Sequence, residues 1–174
     1  MSTPPRALET FAMLKPSGVH QLGNIVTTTT GRGKLRLVEL YRVDKPSREV
    51  LEAHYAEHKE KAFFDPLVED MLQGPLIPMI WGLLPQVESS DPEADATQIM
   101  RSYVGPTDPL EGDPDYHIRA NFGVFPPEVT KDSRLRNNVI HAAANLEDAI
   151  YETSLWFPHR HSTRTPQGLY VPKR

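Results

Sequence analysis

His141 stands in the stretch NNVIHAAANLEDAIYE, residues 137–152, between apolar Val139 and Ile140 and the start of a helix. An imidazole with a pKa near 6.5 is largely neutral at physiological pH, so one ring nitrogen has a free lone pair for chemistry. A lone histidine in such a setting is more often a hydrogen-bonded structural residue, and only its surroundings can decide between the two readings. Glu152, in the same stretch, lies off the apolar stripe of its helix, which leaves its carboxylate free for a polar task. A carboxylate on one ring nitrogen fixes the tautomer and stabilises positive charge on the ring. His54 and His58 are four residues apart on a helix and in principle suit a metal, but no further ligand pattern accompanies them.

Composition narrows what these groups can do. The chain has 174 residues, 39% hydrophobic and 24% charged, which fits one globular domain with a real core. A net charge of −4 argues against a broad grip on nucleic acid or an anionic membrane, though a local cationic pocket can still hold a small anion. The absence of cysteine excludes disulfides, zinc–thiolate sites and thiol nucleophiles. No apolar run approaches the ~20 residues that span a bilayer. The N-terminal MSTPPRALET lacks the apolar core of a signal peptide, so a cytoplasmic location is expected.

The elements that must position these groups follow from periodicity and punctuation. ETFAMLKP (9–16) reads as a buried strand stopped by proline, and KLRLVELYRV (34–43) and PLIPMIWG (75–82) have strand composition. HIRANFGV (117–124) also reads as a strand, with Ile118, Ala120, Phe122 and Val124 on one side and Arg119 and Asn121 on the other. GVHQLGNIVTTTTGRG predicts a poor helix that packing must hold, because of its threonine run. A helix capped by Ser47 aligns Val50, Leu51, His54, Tyr55 and His58 on one face. Another runs from Asp65 as N-cap, with Pro66 first, to Gly74. Asn145 caps the last helix, whose inner stripe is Leu146, Ala149, Ile150, Thr153 and Phe157. Residues 83–97, 105–117 and 124–138 are Pro-, Asp- and Glu-rich and read as loop excursions, and 159–174 as an extended tail. The order predicts an α/β (α+β) sandwich with a mostly antiparallel sheet over residues 1–158.

Taken together, TFAMLKPSGV, HYAEHKEKAFFDPLVEDMLQGP, IRANFG, NNVIH and ETSLWF, in that order, resemble the nucleoside diphosphate kinase family over roughly residues 8–158. The resemblance implies a ferredoxin-like four-stranded antiparallel sheet with helices packed on it. It implies transfer of the γ-phosphate of a nucleoside triphosphate to a nucleoside diphosphate, by a ping-pong route through a phosphohistidine. His141 would be the nucleophile, Glu152 the carboxylate that orients it and Tyr55 its buttress. Lys15 and Asn138 would contact sugar and phosphate, and Arg101, Thr107 and Arg119 the phosphates. Phe63 would stack on the base with Leu67 beside it. Mg²⁺ would arrive on the phosphates without protein ligands of its own. The expected partners are nucleoside di- and triphosphates and further copies of the chain, as a hexamer. Singly, Lys15 and Arg119 also fit plain surface charges, and Tyr55 and Phe63 plain core aromatics.

The sequence departs from that pattern in places. Ala142, Ala143 and Ala144 replace the usual Gly-Ser-Asp after the histidine, so Glu152 must reach His141 without the serine hydroxyl. Ser17 replaces an aspartate, Lys61 stands where arginine is common, and the 124–138 excursion is longer than the family pattern. These departures keep a second reading open, a degenerate nucleotide-binding or assembly subunit with little activity. Stacking on Phe63 and the absence of an evident Asn or Gln at the base edge predict weak discrimination among bases.

Overall fold

The computed structural model describes residues 5–160 and 163–170. Strand β1 (Glu9–Leu14) leads through a 3₁₀ turn to α1 (Leu22–Gly31), then β2 (Leu35–Leu40), α2 (Arg48–His54), α3 (Phe64–Leu72) and β3 (Ile77–Leu83). Next come α4 (Pro85–Ser90), α5 (Ala96–Val104), α6 (Ile118–Phe122), α7 (Lys131–Arg136), β4 (Ile140–Ala142) and α8 (Leu146–Trp156), with a hairpin of β5 (Thr163–Thr165) and β6 (Gly168–Tyr170) last. The four-stranded sheet has the order β2-β3-β1-β4, and every pairing in it is antiparallel.

Every residue of β1 is buried, because helices cover both faces of the sheet. Side chains alternate along a strand. Ala12 and Leu14 join Met79 and Trp81 under α1 and α5, while Phe11, Met13 and Ile80 pack under α2, α3 and α8. The layout is the antiparallel α/β sandwich that the sequence pattern predicts, in the ferredoxin-like form that the family resemblance implies.

The fourth strand is not the expected one. Residues 118–122 form α6, not a strand, and β4 takes the place beside β1. Ile118 and Phe122 alternate with Ala120, yet they are also four apart, and both pack on the α5 side of the core. α3 starts one residue before Asp65, with Phe63 at its N-cap, so Asp65 and Pro66 occupy its first turn. Ser47 does precede α2 but makes no capping side-chain bond.

The three excursions hold more structure than loops. The first contains α4 and leads into α5, where Asp95 accepts from the amides of Gln98 at 3.0 Å and Ala7 at 2.9 Å. The second contains a single 3₁₀ turn, Pro109–Glu111. The third contains α7, capped by Thr130. The tail is likewise not simply extended. Its hairpin docks on the core through the Leu8 amide, which donates to the Arg164 carbonyl at 2.9 Å, and Arg164 pairs with Glu88. The rest of the tail (161, 162 and 171–174) and residues 1–4 of the N-terminal stretch lie outside the described residues. Among the described residues, no helix is long and apolar enough to cross a membrane.

Candidate active site

The site is built where β1 ends beside β4. Met13 pairs with His141, so the imidazole faces the side of the sheet covered by α2 and α8. There it meets Phe11 at 6.2 Å, Tyr55 at 6.1 Å and His54 at 4.6 Å between ring centres. Lys15, one residue beyond β1, is buried. Its ammonium donates to Asn138 Oδ1 at 2.7 Å and to the Arg136 carbonyl at 2.8 Å. Asn138 Nδ2 donates in turn to the Thr107 carbonyl at 2.8 Å. The Lys15 and Asn138 side chains thus tie three distant segments together around the approach to His141.

The turn after Lys15 explains how this knot is held. The Lys15 amide donates to the Val139 carbonyl, and Ser17 Oγ donates to the Asn137 carbonyl while accepting from the Val139 amide. Ser17 therefore has a clear role despite departing from the family pattern. Val139 has φ +74°, an uncommon conformation for a β-branched residue and a strain of order 1–3 kcal/mol. A Cβ on Gly18 would come within 2.3 Å of the Val139 carbonyl oxygen, so only glycine permits the crossing. That strain and that close approach set the chain just ahead of His141.

His141 Nε2 and Glu152 Oε1 are 2.8 Å apart, although Ala143 supplies no hydroxyl. Glu152 is buried, consistent with a carboxylate turned inward from α8 and not out to solvent. Burial, then the charges of Lys15, Arg119 and Arg101, hold the His141 pKa well below its ordinary value, so the ring is neutral at physiological pH. Burial, helped by Asp148 and Glu57 and opposed by His54, pushes Glu152 up to about 8. Ionised Glu152 accepts a hydrogen bond from Nε2–H and leaves the Nδ1 lone pair free, whereas protonated Glu152 can donate to Nε2 and favour the opposite tautomer.

Cations ring the imidazole. Arg119, on α6, donates to the carbonyls of Ile140 at 3.0 Å and Gly105 at 3.1 Å, which turns its charge toward β4. Burial and the nearby Arg101 lower its pKa to about 10. Arg101 is exposed on α5, and its charge reaches both Arg119 and His141. Burial and Arg119 also lower Lys15 well below its usual value. Such a cluster of like charges is costly when empty and favourable around a polyanion.

Phe63, Leu67 and Thr107 line a cavity of about 590 Å³. This is the outer end of the site; His141 is not in its lining. Arg136, which lines it and whose carbonyl binds Lys15, connects the two parts. Asp132, Leu135 and Arg136 bring α7 into the wall, and His58 stands beside Phe63 with ring centres 5.2 Å apart. Sequence reasoning places none of the four in the pocket, because α7 lies in a charged excursion and His58 reads as a helix-face residue or as a metal partner of His54. Arg134 holds Asp108 through two bonds of 2.7 and 2.9 Å, and Arg136 holds Asp70 at 2.6 Å. The excursion is therefore a fixed wall between α3 and the 105–117 segment.

His54 does not pair with His58 as a metal site. Among the described residues, the histidine–acid cluster of ligand spacing is His54, His141 and Glu152, whose ligand atoms lie within 4.8 Å of one another. Trp156 Nε1 donates to His54 Nδ1 at 3.2 Å, which places the single proton of neutral His54 on Nε2 and blocks ordinary ligation there.

Comparison with known proteins points to one family. The family profile described as nucleoside diphosphate kinase matches residues 9–162. The nucleoside diphosphate kinase of an Exiguobacterium species is 36% identical over 152 residues, 86% of this chain and 93% of its own length. That of Saccharolobus solfataricus is 37% identical over 153 residues, covering 87% and 95%. Among solved structures, the Encephalitozoon cuniculi enzyme aligns with a TM-score of 0.69 at 30% identity, over 86% of this chain and 88% of that one. A halophilic enzyme from Halobacterium salinarum, solved in complex with CDP, gives 0.67 at 30%, over 97% and 94%. Enzymes of this family are phosphotransferases that need a divalent cation. The chain belongs to the nucleoside diphosphate kinase family and is a nucleoside diphosphate kinase in function.

Proposed function

We propose that His141 Nδ1 is the atom that carries the phosphoryl group. With Nε2 turned to Glu152 at 2.8 Å, Nδ1 is the nitrogen left to attack, and this pairing is the observation that carries the reading. In the first half-reaction Nδ1 bonds to the γ-phosphorus as the bond from that phosphorus to the β–γ bridging oxygen breaks, and the nucleoside diphosphate leaves. In the second, a terminal β-phosphate oxygen of another nucleoside diphosphate attacks, and the N–P bond breaks. Lys15, Arg101 and Arg119 offset the charge on the equatorial oxygens, and Glu152 stabilises the positive imidazole. Mg²⁺ bound to the phosphates is the cation we assign, supplying further positive charge there.

The nucleotide would lie with its base on Phe63 and Leu67, α7 opposite, and its sugar and phosphates near Lys15, Asn138 and Thr107. Tyr55 packs edge-on to His54 and buttresses the imidazole. The chain would work as an oligomer, a hexamer by family resemblance. The edge strand β2 and exposed Leu110 and Tyr116 offer surface for assembly. A cytoplasmic setting suits the composition.

Incubation of the chain with ATP labelled in the γ-phosphate tests the reading. Retained label that is labile in acid and stable in base marks phosphohistidine. Nucleotide binding without label would favour the degenerate reading.

A further inference from the structure

His54 is a buried titratable group that the mechanism above leaves without a task. It lies at the end of α2, 5% exposed, with its ring 4.6 Å from that of His141 and nearly perpendicular to it. Trp156 Nε1 is only a donor, so the His54 Nδ1 that receives it has no proton. Neutral His54 must therefore present Nε2–H. Among the described residues, that nitrogen has no hydrogen-bond partner, and neither has Glu152 Oε2, the carboxylate oxygen not used by His141. A ring nitrogen of His54 and a carboxylate oxygen of Glu152 lie within 4.8 Å of each other. A stranded buried donor and a stranded buried acceptor are each costly, and the terminal torsion of a glutamate is soft enough to bring such a pair together.

We propose that His54 is a positioning residue: its Nε2–H donates to Glu152 Oε2 and keeps Glu152 an acceptor for the Nε2 proton of His141. The relay runs from the Trp156 indole through His54 and Glu152 to the imidazole, and it leaves the Nδ1 lone pair of His141 aimed outward. It deepens the phosphohistidine reading and rests on it. Burial lowers the His54 pKa to about 3, which keeps the ring neutral and in this donor form throughout the working range. Without the donor, the Glu152 carboxylate is less favoured and its proton is held to higher pH. His141 then spends more time in the unreactive tautomer.

Ala143 makes the idea testable from a second direction. It lies two residues after His141, is fully buried, and packs in the cluster that contains Ala149 and Trp156 of α8. A hydroxyl at position 143 would enter on the same side of the sheet as Glu152 and could give the same carboxylate a donor.

The experiment compares His54→Gln with His54→Asn, each with and without Ala143→Ser. The Gln amide nitrogen falls near the position of Nε2, and the Asn amide near that of Nδ1. A donor to Glu152 is kept only in the first, and a partner for Trp156 in the second. The readout is the pH profile of single-turnover phosphoenzyme formation from ATP, with KM for ATP alongside. Asp148 and Glu57 face Glu152, His58 and Lys15 face His54, and Lys15, Arg119 and Arg101 face His141 in every variant, so the difference isolates position 54. His54→Gln is expected to keep the acid limb of the parent chain. His54→Asn is expected to move it up by about one pH unit and slow transfer near neutrality roughly tenfold, with KM little changed. Ala143→Ser should restore the limb in the Asn variant and alter the parent less than about threefold. A purely structural role makes Asn the milder change and leaves both limbs in place; that result, or failure of Ala143→Ser to restore the Asn variant, overturns the proposal. Should His54→Asn not fold, the shift is sought in His54→Phe, with the same rescue. A parent chain that takes no label overturns the phosphohistidine reading and this one together, whereas label with identical limbs overturns only this one.

Discussion

The floor and the rim of the site are made by different means. The floor joins β4 to β1 and sets half-buried His141 with buried His54, Tyr55 and Glu152 between the sheet and two helices. The rim is the 124–138 excursion, where α7 is held from both sides by Arg134 on Asp108 and Arg136 on Asp70. Groups on the floor are fixed by packing and by a strained turn at Val139, and those on the rim by partly buried ion pairs. Damage to the floor should therefore strike the chemical step, and damage to the rim should strike nucleotide affinity.

The largest effect short of removing the nucleophile is expected at Glu152. Glu152→Gln should lower the rate of phosphoenzyme formation by roughly 100-fold while changing KM little. In the parent chain that rate should rise with pH as Glu152 ionises, through about 8. The same group has the opposite effect on stability. Its folded pKa is raised from the usual 4.5, so between these values the native state holds more protons than the unfolded chain, and stability falls as pH rises through that window. Glu152→Gln should remove the loss. Its Tm should match the parent at pH 4.5 and exceed it by several degrees at pH 9, on the basis of about 2–4 °C per kcal/mol. Equal pH slopes in calorimetry would show that Glu152 is not desolvated as described.

A smaller effect is expected when the rim is released. Arg134→Ala strands Asp108 and frees one side of α7, so KM for nucleotide should rise roughly tenfold with single-turnover rate at saturation nearly unchanged. Asp108 is held down to about 2 by Arg134 and the Leu110 amide. Its stabilising contribution is present above its usual 3.8 and is lost as pH falls through about 2, so the rim should hold at any working pH. A fall in rate at saturation instead of a rise in KM would erase the distinction between floor and rim.

The smallest effect concerns the base. Asp132 and His58 give the cavity polar groups that the sequence pattern did not place there. Asp132→Ala should change the relative use of the diphosphates of A, G, C and U by only a few-fold, since the stacking proposed on Phe63 would serve every base. A preference of a thousandfold for one base in the parent chain would mean that the rim reads base edges.

The floor was legible because its motifs are local. Lys15 closes an apolar run, Asn138 and His141 sit three residues apart, and Asn145 marks the start of α8. The strand that carries His141 was not legible, since three residues are too few to show a period. α6 was misread because Ile118, Ala120 and Phe122 satisfy both strand and helix spacing. α7 is a single six-residue helix within a Pro-rich segment, and ion pairs to residues far away in sequence hold it. Such partners cannot be read from a local pattern. His54 was visible as a helix-face residue, but its role rests on a tautomer set by Trp156, more than a hundred residues away.

The most direct measurement is transfer of label from γ-labelled ATP to the parent chain and to His141→Ala, with nucleotide affinity measured for both. The account predicts acid-labile, base-stable label near one per chain in the parent, none in His141→Ala, and similar affinity in the two. Label retained in His141→Ala, or a parent that binds ATP and takes no label, would contradict it.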